Sequence, residues 1–226
     1  MKRLLIVGAS IPLPTDELRY EDTWIYLIKN AYSNLDIVDK CVRGRSMTTL
    51  MHGGPGGKAK NVFEWYDPDY IILHLGLSDC APRLLPRKNR LTKIINHLPF
   101  SNLIYSYFRK HGGRRIKYAD LSPKEFEENL EGYIKRVAPV PVGIIQISKV
   151  SINALKKSPQ FNDAIDQYNS IIDKVIARNH NAFLILGIDG SDSSLYQSDG
   201  IHFLNKGQQV FFKRCSDWLK SLIESK

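Results

Sequence analysis

Two short segments near opposite ends of the sequence carry the residue types of nucleophilic catalysis. Ser10 follows Gly8 and Ala9, directly after an apolar run at residues 4–7. A serine hydroxyl is scarcely ionised at neutral pH, so as a nucleophile it needs a histidine within hydrogen-bond reach. Asp199 and His202 stand three residues apart on a predicted turn near the other end. This spacing lets the carboxylate hold one imidazole nitrogen while the other nitrogen acts as a base.

Each segment also has a purely structural interpretation. Ser10 could simply form a turn or cap a helix, and Asp199 could make an Asx turn before the last helix. The catalytic interpretation is favoured because both segments follow predicted strands, and the carboxyl ends of parallel strands gather at one edge of a sheet. We therefore predict that Ser10, His202 and Asp199 meet at that edge.

Apolar runs alternate with amphipathic stretches along the chain. Buried strands are predicted at residues 4–7, 35–38, 70–75, 142–147 and 182–186. Helices are predicted at residues 15–31, with Thr15 or Asp16 as the cap, from the capping box Ser122-Pro-Lys-Glu125 to about residue 137, at 161–178 and at 205–223. This alternation implies parallel strands joined by right-handed crossovers. The predicted fold class is α/β, a three-layer α/β/α sandwich with a parallel sheet of about five strands.

The positive charge of the chain is concentrated in one segment. The 226 residues include 32 Lys and Arg against 23 Asp and Glu, a net charge of +9. Ten of these basic residues lie within residues 83–117, which contain no Asp or Glu, so the rest of the chain is nearly neutral. A nearly neutral body is not typical of a sequence-independent DNA-binding protein, and we predict no nucleic-acid partner.

The same segment interrupts the alternation of strands and helices. We predict that residues 83–121 form a basic helical insertion, with a break near Pro99, in a single domain of residues 1–226. Three interpretations of its charge stay open. It could be a lid or rim that attracts an anionic ligand, a contact with an anionic membrane surface through residues 83–117, or a solvated face with a few ion pairs.

Cysteine usage and hydropathy indicate the compartment. Cys41, Cys80 and Cys215 are an odd number without CxxC spacing, which favours neither a disulfide framework nor a zinc site. The first apolar run is too short for a signal peptide, and no run of about 18 apolar residues occurs. We therefore predict a cytoplasmic protein with no metal.

Four short blocks, in order along the chain, resemble those of the SGNH hydrolases, also called GDSL esterases and lipases. They are Ile6-Val-Gly-Ala-Ser10, Val42-Arg-Gly44-Arg-Ser46-Met-Thr-Thr49, Leu75-Gly76-Leu-Ser78-Asp79 and Asp199-Gly-Ile-His202. The first block has Ala9 where the family usually has aspartate, and the third has Ser78 where the family has asparagine. The last block matches the family pattern of Asp-x-x-His closely.

The resemblance implies a flavodoxin-like fold and a serine esterase that works through a Ser10 acyl-enzyme without a cofactor. His202 is implied as general base and then acid, Asp199 as the residue that orients it, and Ser10, Gly44 and Ser78 as the oxyanion hole. The implied substrate is a small O-acyl ester, with acetyl as the expected group, on a carbohydrate or other polar acceptor. Such a reaction would belong to carbohydrate deacetylation in polysaccharide modification.

Ser78 leaves the activity open between several hypotheses. Loss of one oxyanion donor commonly lowers the rate by about a hundredfold to a thousandfold. The chain could therefore be a slow esterase, an enzyme with a rearranged oxyanion hole, or a silent protein of the same fold that binds an anionic glycan or partner. An O-acyltransferase that uses the same site is a further alternative. The oligomeric state is left open by the sequence.

Overall fold

A computed structural model of the chain describes residues 1–52, 65–83, 94–95, 97–101, 103–104 and 119–224. Its centre is a parallel sheet of five strands in the order β2-β1-β3-β4-β5. The strands are β1 (Lys2–Gly8), β2 (Leu35–Asp39), β3 (Tyr70–His74), β4 (Val142–Ile145) and β5 (Ala182–Ile185). This confirms the predicted fold class, a flavodoxin-like α/β/α sandwich. The strand order reverses between β1 and β3, which is where ligands bind in such sheets.

Helices cover both faces of the sheet. Those with bounds inside the described residues are α1 (Trp24–Ala31), α2 (Met47–His52), α3 (Leu77–Cys80), α4 (Pro123–Val137), α5 (Ile152–Leu155), α6 (Phe161–Arg178) and α7 (Asn205–Ile223). None of the helices in these ranges combines the length and the apolar character needed to cross a membrane.

The core consists of two apolar layers, because alternate residues of β1 point to opposite faces. Leu5 and Val7 pack in the layer that contains α2, α4 and α6. Leu4 and Ile6 pack in the layer that contains α1 and α7. Because β1 is buried on both faces, its position in the sheet is fixed. The residues that follow β1 are therefore held at the carboxyl edge.

Three of the four predicted helices are confirmed and one is wrong at its start. The capping box at the start of α4 is present, since Ser122 Oγ accepts the N–H of Glu125 and Glu125 Oε2 accepts the N–H of Ser122. α6 and α7 have the predicted bounds.

The helix predicted at residues 15–31 begins only at Trp24, where the side chain of Thr23 accepts the N–H of Tyr26. The residues before it form a turn, in which Thr15 and Leu18 exchange backbone hydrogen bonds of 2.9 and 3.2 Å. The Thr15 hydroxyl is also 2.9 Å from Oε1 of Gln197. The local turn and the long-range contact with Gln197 hold the segment in a non-helical conformation despite its helical period.

The predicted insertion at residues 83–121 lies largely outside the described residues. Helical residues occur on both sides of Pro99, and Phe100 and Leu103 are exposed. The two ends of the segment meet, because Nε of Arg83 lies 2.6 Å from Oδ2 of Asp120. One of the ten basic residues is thus paired with a carboxylate. The helical insertion and the single domain otherwise stay predictions.

Candidate active site

Ser10, His202 and Asp199 form a continuous row of hydrogen bonds at the carboxyl edge of the sheet. The Ser10 hydroxyl, in the turn after β1, lies 2.9 Å from Nε2 of His202. The other ring nitrogen, Nδ1, lies 2.6 Å from Oδ2 of Asp199. An ionised carboxylate only accepts hydrogen bonds, so Nδ1 carries the proton and Nε2 accepts the proton of Ser10. We call these three residues the catalytic row.

The Asp199 carboxylate is fixed by more than the histidine. Its Oδ1 accepts the backbone N–H groups of Ile201 and His202 at 2.7 and 2.9 Å. Burial raises the pKa of the Asp199 carboxyl, but the hydrogen bonds from the His202 side chain and from these two N–H groups outweigh burial. The pKa is lowered to about 2 as a result. Asp199 is therefore an anion at neutral pH and faces an imidazole that can become positive.

The loop that carries Asp199 and His202 is held from two sides. Gly200 has φ 73° and accepts the N–H of Ser151 at 2.9 Å. A Cβ atom at this glycine would lie 2.5 Å from Ser151 Oγ, so a larger residue does not fit. On the other side, Gln197 donates its backbone N–H to the carbonyl of His202 at 2.8 Å. These contacts position the imidazole before any substrate binds.

The turn that carries Ser10 is held by a buried glutamine on α7. Gln208 donates Nε2–H to the carbonyl of Ile11 at 3.0 Å and accepts the N–H of Trp24 at 3.2 Å. Neither Gln208 nor Gln197 was among the residues predicted to form the site. The sequence contains one signal for Gln208, because it is a polar residue three positions before Phe211 on the apolar face of the last predicted helix. A buried amide at such a position satisfies backbone groups elsewhere in the fold.

A small cleft opens beside Ser10. Its volume is about 20 Å³, room for a water-sized group, and its walls are mostly apolar. The residues that line it are Ala9, Ser10, Ile11, His74, Leu75, Leu77, Ser78, Ile147, Ser148, Ile201 and Phe203. The predicted oxyanion residue Ser78 thus lies in the same cleft as Ser10. Gly44 is not among the described residues that line it.

Ser78 lies on α3, directly after β3. Its hydroxyl has no hydrogen-bond partner among the described residues, and its carbonyl accepts Nη2–H of Arg83 at 3.3 Å. Gly76, which precedes α3, has φ 109°, and a Cβ atom there would lie 2.5 Å from Cδ1 of Ile147. Glycine is therefore required at the point where the chain turns from β3 into the cleft.

Gly44 lies in a tight turn after β2. Its φ of 71° is in the left-handed region that favours glycine, and Arg45 donates its N–H to the carbonyl of Val42 at 3.0 Å across this turn. Val42 donates its own N–H to the carbonyl of Gly8 at 3.1 Å. The turn is therefore joined to the end of β1, two residues before Ser10.

His74 also borders the cleft but belongs to the core. Its ring packs between Trp24 and Phe211, with centroid distances of 6.0 and 4.8 Å. Burial lowers the pKa of His74 to about 3, so the ring is neutral at physiological pH. In the part of the chain that the structure describes, no cluster of histidine, cysteine and carboxylate side chains is arranged to hold a metal ion.

Comparison with known proteins gives similar structures but no similar sequences. No family model matches the chain, and no curated protein matches it. A lipase/acylhydrolase from Enterococcus faecalis is 16% identical, with 98% of this chain and 96% of that chain covered and a TM-score of 0.65. The acetyl xylan esterase AlAXEase is 14% identical, with 95% of this chain and 98% of that chain covered and a TM-score of 0.64. A putative GDSL-like lipase from Parabacteroides merdae is 12% identical, with 96% of this chain and 94% of that chain covered and a TM-score of 0.58.

The chain has the SGNH-hydrolase fold. In this fold the four sequence blocks that suggested the resemblance all follow strands of the sheet or precede the last helix. The structure brings Ser10, His202 and Asp199 together by hydrogen bonds and places Ser78 in their cleft. Gly44 lies on a neighbouring turn. The fold thus agrees with the resemblance that the four sequence blocks suggested.

Proposed function

We propose that the protein is a serine esterase that removes a small acyl group, acetyl in the first place, from a carbohydrate or other polar ester. The observation that carries this proposal is the catalytic row. Its distances, 2.9 Å from Ser10 Oγ to Nε2 and 2.6 Å from Nδ1 to Asp199 Oδ2, are those of proton transfer through hydrogen bonds. The SGNH-type fold of solved esterases supports the same activity.

The row supports the following sequence of steps. Ser10 Oγ attacks the ester carbonyl carbon while Nε2 of His202 takes the hydroxyl proton. The tetrahedral intermediate collapses, the ester C–O bond breaks, and the leaving alkoxide takes the proton from His202. Water then attacks the Ser10 acyl-enzyme with His202 again as base, which releases the acid and restores the Ser10 hydroxyl. Asp199 stabilises the imidazolium in both halves and keeps its negative charge throughout.

The negative charge on the carbonyl oxygen needs hydrogen-bond donors in the cleft. We assign these to the N–H groups of Ser10 and Gly44 and to the Ser78 hydroxyl. The Ser78 hydroxyl borders the cleft and has no partner among the described residues, so it is available to donate. Serine is shorter than asparagine, so the oxyanion must lie closer to α3 than it would with an amide at this position. This geometry is consistent with a slower reaction.

The size of the cleft supports a small acyl group. The cleft formed by the described residues, about 20 Å³, has room for a methyl-sized group. Two similar structures, AlAXEase and Axe2 from Geobacillus stearothermophilus, are acetylxylan esterases. They support an acetylated carbohydrate as the substrate class of this chain.

The test compares wild-type protein with the variant Ser10→Ala on p-nitrophenyl acetate, p-nitrophenyl octanoate and an acetylated xylo-oligosaccharide. We expect release of acetate from the first and third substrates and little cleavage of the octanoate. Ser10→Ala should lower kcat by about a thousandfold or more, because the nucleophile is removed. Ser170→Ala, which changes an exposed serine on α6, is the matched control and should leave kcat unchanged.

Full activity in a folded Ser10→Ala protein would contradict the acyl-enzyme mechanism. Preference for the octanoate would retain the esterase but overturn the small acyl group. Transfer of the acetyl group to an added sugar hydroxyl, in preference to water, would identify the alternative O-acyltransferase.

A second candidate function is supported by Ser78 itself. A chain that lacks the family asparagine could use the SGNH-type fold to bind an anionic glycan or partner without catalysis. The basic segment at residues 83–117 is then the part expected to contact that partner or an anionic membrane surface. This hypothesis predicts that p-nitrophenyl acetate, p-nitrophenyl octanoate and the acetylated xylo-oligosaccharide are not cleaved. A cytoplasmic location stays a prediction for either function.

A further inference from the structure

A group of buried polar atoms without hydrogen-bond partners lies around the contact of α2 with α4. The atoms are Nε of Arg45, Oγ1 of Thr48, the hydroxyl of Tyr133 and Nε of Arg136, none of which has a partner among the described residues. We call these four residues the Arg45 cluster. Buried polar atoms in folded proteins nearly always have partners. Four such atoms in one region point to a partner from outside the chain.

The four residues lie on or beside two helices that face each other. Arg45 lies two residues before α2 and Thr48 lies in its first turn. Tyr133 and Arg136 are three residues apart on α4, so they share one side of that helix. α2 and α4 touch, since a Cβ atom on Gly132 would lie 3.1 Å from Cε of Met51. The guanidinium carbon of Arg136 lies 5.2 Å from the centroid of the Tyr133 ring.

The cluster carries two positive charges and no described counter-charge. No Asp or Glu in the described ranges forms an ion pair with Arg45 or Arg136. Burial lowers the pKa of Arg45, and the groups that partly offset this effect are Cys41 and Tyr133. Neither of these is an anion at neutral pH, because burial raises the pKa of both. A partly buried guanidinium without a counter-charge is costly.

Tyr133 is the most deeply buried member of the cluster. Its side chain is fully buried, at 0% exposure, and its hydroxyl has no described hydrogen-bond partner. The charges of Arg136 and Arg45 both act on this hydroxyl. The hydroxyl of Tyr133 therefore lies in the positive field of both arginines and is able to donate a hydrogen bond.

We propose that the Arg45 cluster binds a small oxoanion, the phosphate or carboxylate group of a ligand. Guanidinium N–H groups and hydroxyl groups are donors, and the oxygens of such an anion are acceptors, so binding would satisfy the unpartnered atoms and the charge together. The site is distinct from the cleft, since none of the four residues is among the residues that line it. Arg45 is adjacent to Gly44, so the anion also stabilises the turn that carries this glycine. The proposal does not depend on the esterase activity.

The first test is thermal unfolding of the wild-type protein in phosphate, acetate or chloride at constant ionic strength. We expect phosphate or acetate in the millimolar range to raise Tm to a plateau, as for ligands that bind only the folded state. The anion with the lower half-saturation concentration identifies the group that the site prefers. A Tm that depends only on ionic strength, with no difference among the three anions, would overturn the proposal.

The second test uses the variants Arg45→Gln and Arg136→Gln. Each should raise the half-saturation concentration by about tenfold or more, because a charge-assisted hydrogen bond is lost. Lys124→Gln removes the same charge from an exposed residue of α4 and should leave the half-saturation concentration unchanged. If Arg45→Gln does not fold, the half-saturation concentration measured with Arg136→Gln tests the proposal. An equal response in Arg136→Gln and Lys124→Gln would show that the site is not at the cluster.

Discussion

The catalytic row and the Arg45 cluster differ in how their polar atoms are paired. In the row, Ser10 Oγ, both ring nitrogens of His202 and both oxygens of Asp199 have partners at 2.6–2.9 Å. In the cluster, four buried polar atoms have none among the described residues. The Ser78 hydroxyl resembles the cluster in this respect. The groups proposed to move a proton are thus paired before substrate arrives, whereas the Ser78 hydroxyl and the four atoms of the cluster have no partner among the described residues.

This difference has a physical basis. Residues that transfer protons must hold their geometry, and each hydrogen bond that fixes it contributes to folding as well. A donor that meets an anion cannot be occupied by a partner in the chain, so it costs stability until the anion binds. We therefore expect removal of a paired polar group to lower stability and removal of a buried polar group without a described partner to raise it.

The largest effect is expected in the row, for Asp199→Asn. An amide cannot stabilise the imidazolium and favours the wrong tautomer of His202, so kcat for p-nitrophenyl acetate should fall by about ten-thousandfold. Asp163→Asn, at an exposed position on α6, is the control and should keep full activity. Steady-state kinetics measure both. A loss of less than tenfold in Asp199→Asn would show that the row is not a working unit.

The next largest effect is expected at Ser78. If its hydroxyl stabilises the oxyanion, Ser78→Ala should lower kcat by about a hundredfold with little change in KM. Ser78→Asn introduces an amide with a longer reach and should raise kcat above that of the wild type. An unchanged kcat in Ser78→Ala would remove the hydroxyl from the oxyanion hole and leave backbone groups as its donors.

The smallest effect is one of stability and compares two buried tyrosines. Tyr133→Phe removes a hydroxyl without a described partner and should raise the free energy of unfolding by about 1 kcal/mol in chloride buffer. Tyr168→Phe removes a hydroxyl that donates to the carbonyl of Leu121, and should lower it by about the same amount. Urea unfolding measures both changes. Equal destabilisation by the two substitutions would contradict the difference in pairing.

Much of the fold could be predicted because its elements have strong local signals. The capping box at Ser122 marked the start of α4, and apolar runs identified the five strands, with a weaker run, interrupted by Asp36, for β2. The helix predicted at residues 15–31 was wrong at its start because Thr15 forms a local turn with Leu18 and contacts Gln197, which is distant in sequence. Gln208 was missed for a similar reason, since its partners Ile11 and Trp24 belong to other elements.

The candidate site also has parts that could be predicted from local sequence and parts that could not. Asp199 and His202 are close in sequence, so their pairing could be predicted from spacing. Ser10 could be assigned to the same site only because the carboxyl ends of parallel strands lie at one edge of the sheet. The Arg45 cluster could not be predicted, because Arg45 and Tyr133 belong to elements far apart in the chain. Their lack of partners is a property of three-dimensional packing.

The most direct test of the catalytic row is covalent labelling by a fluorophosphonate, with the modified residue identified by mass spectrometry. If the row activates the Ser10 hydroxyl through His202, which lies 2.9 Å from it, the wild-type protein should be labelled at Ser10. Labelling should slow by on the order of a thousandfold or more in His202→Ala, because the base is removed. No labelling of Ser10, or the same rate in His202→Ala, would contradict a catalytic role for the row and favour a binding function.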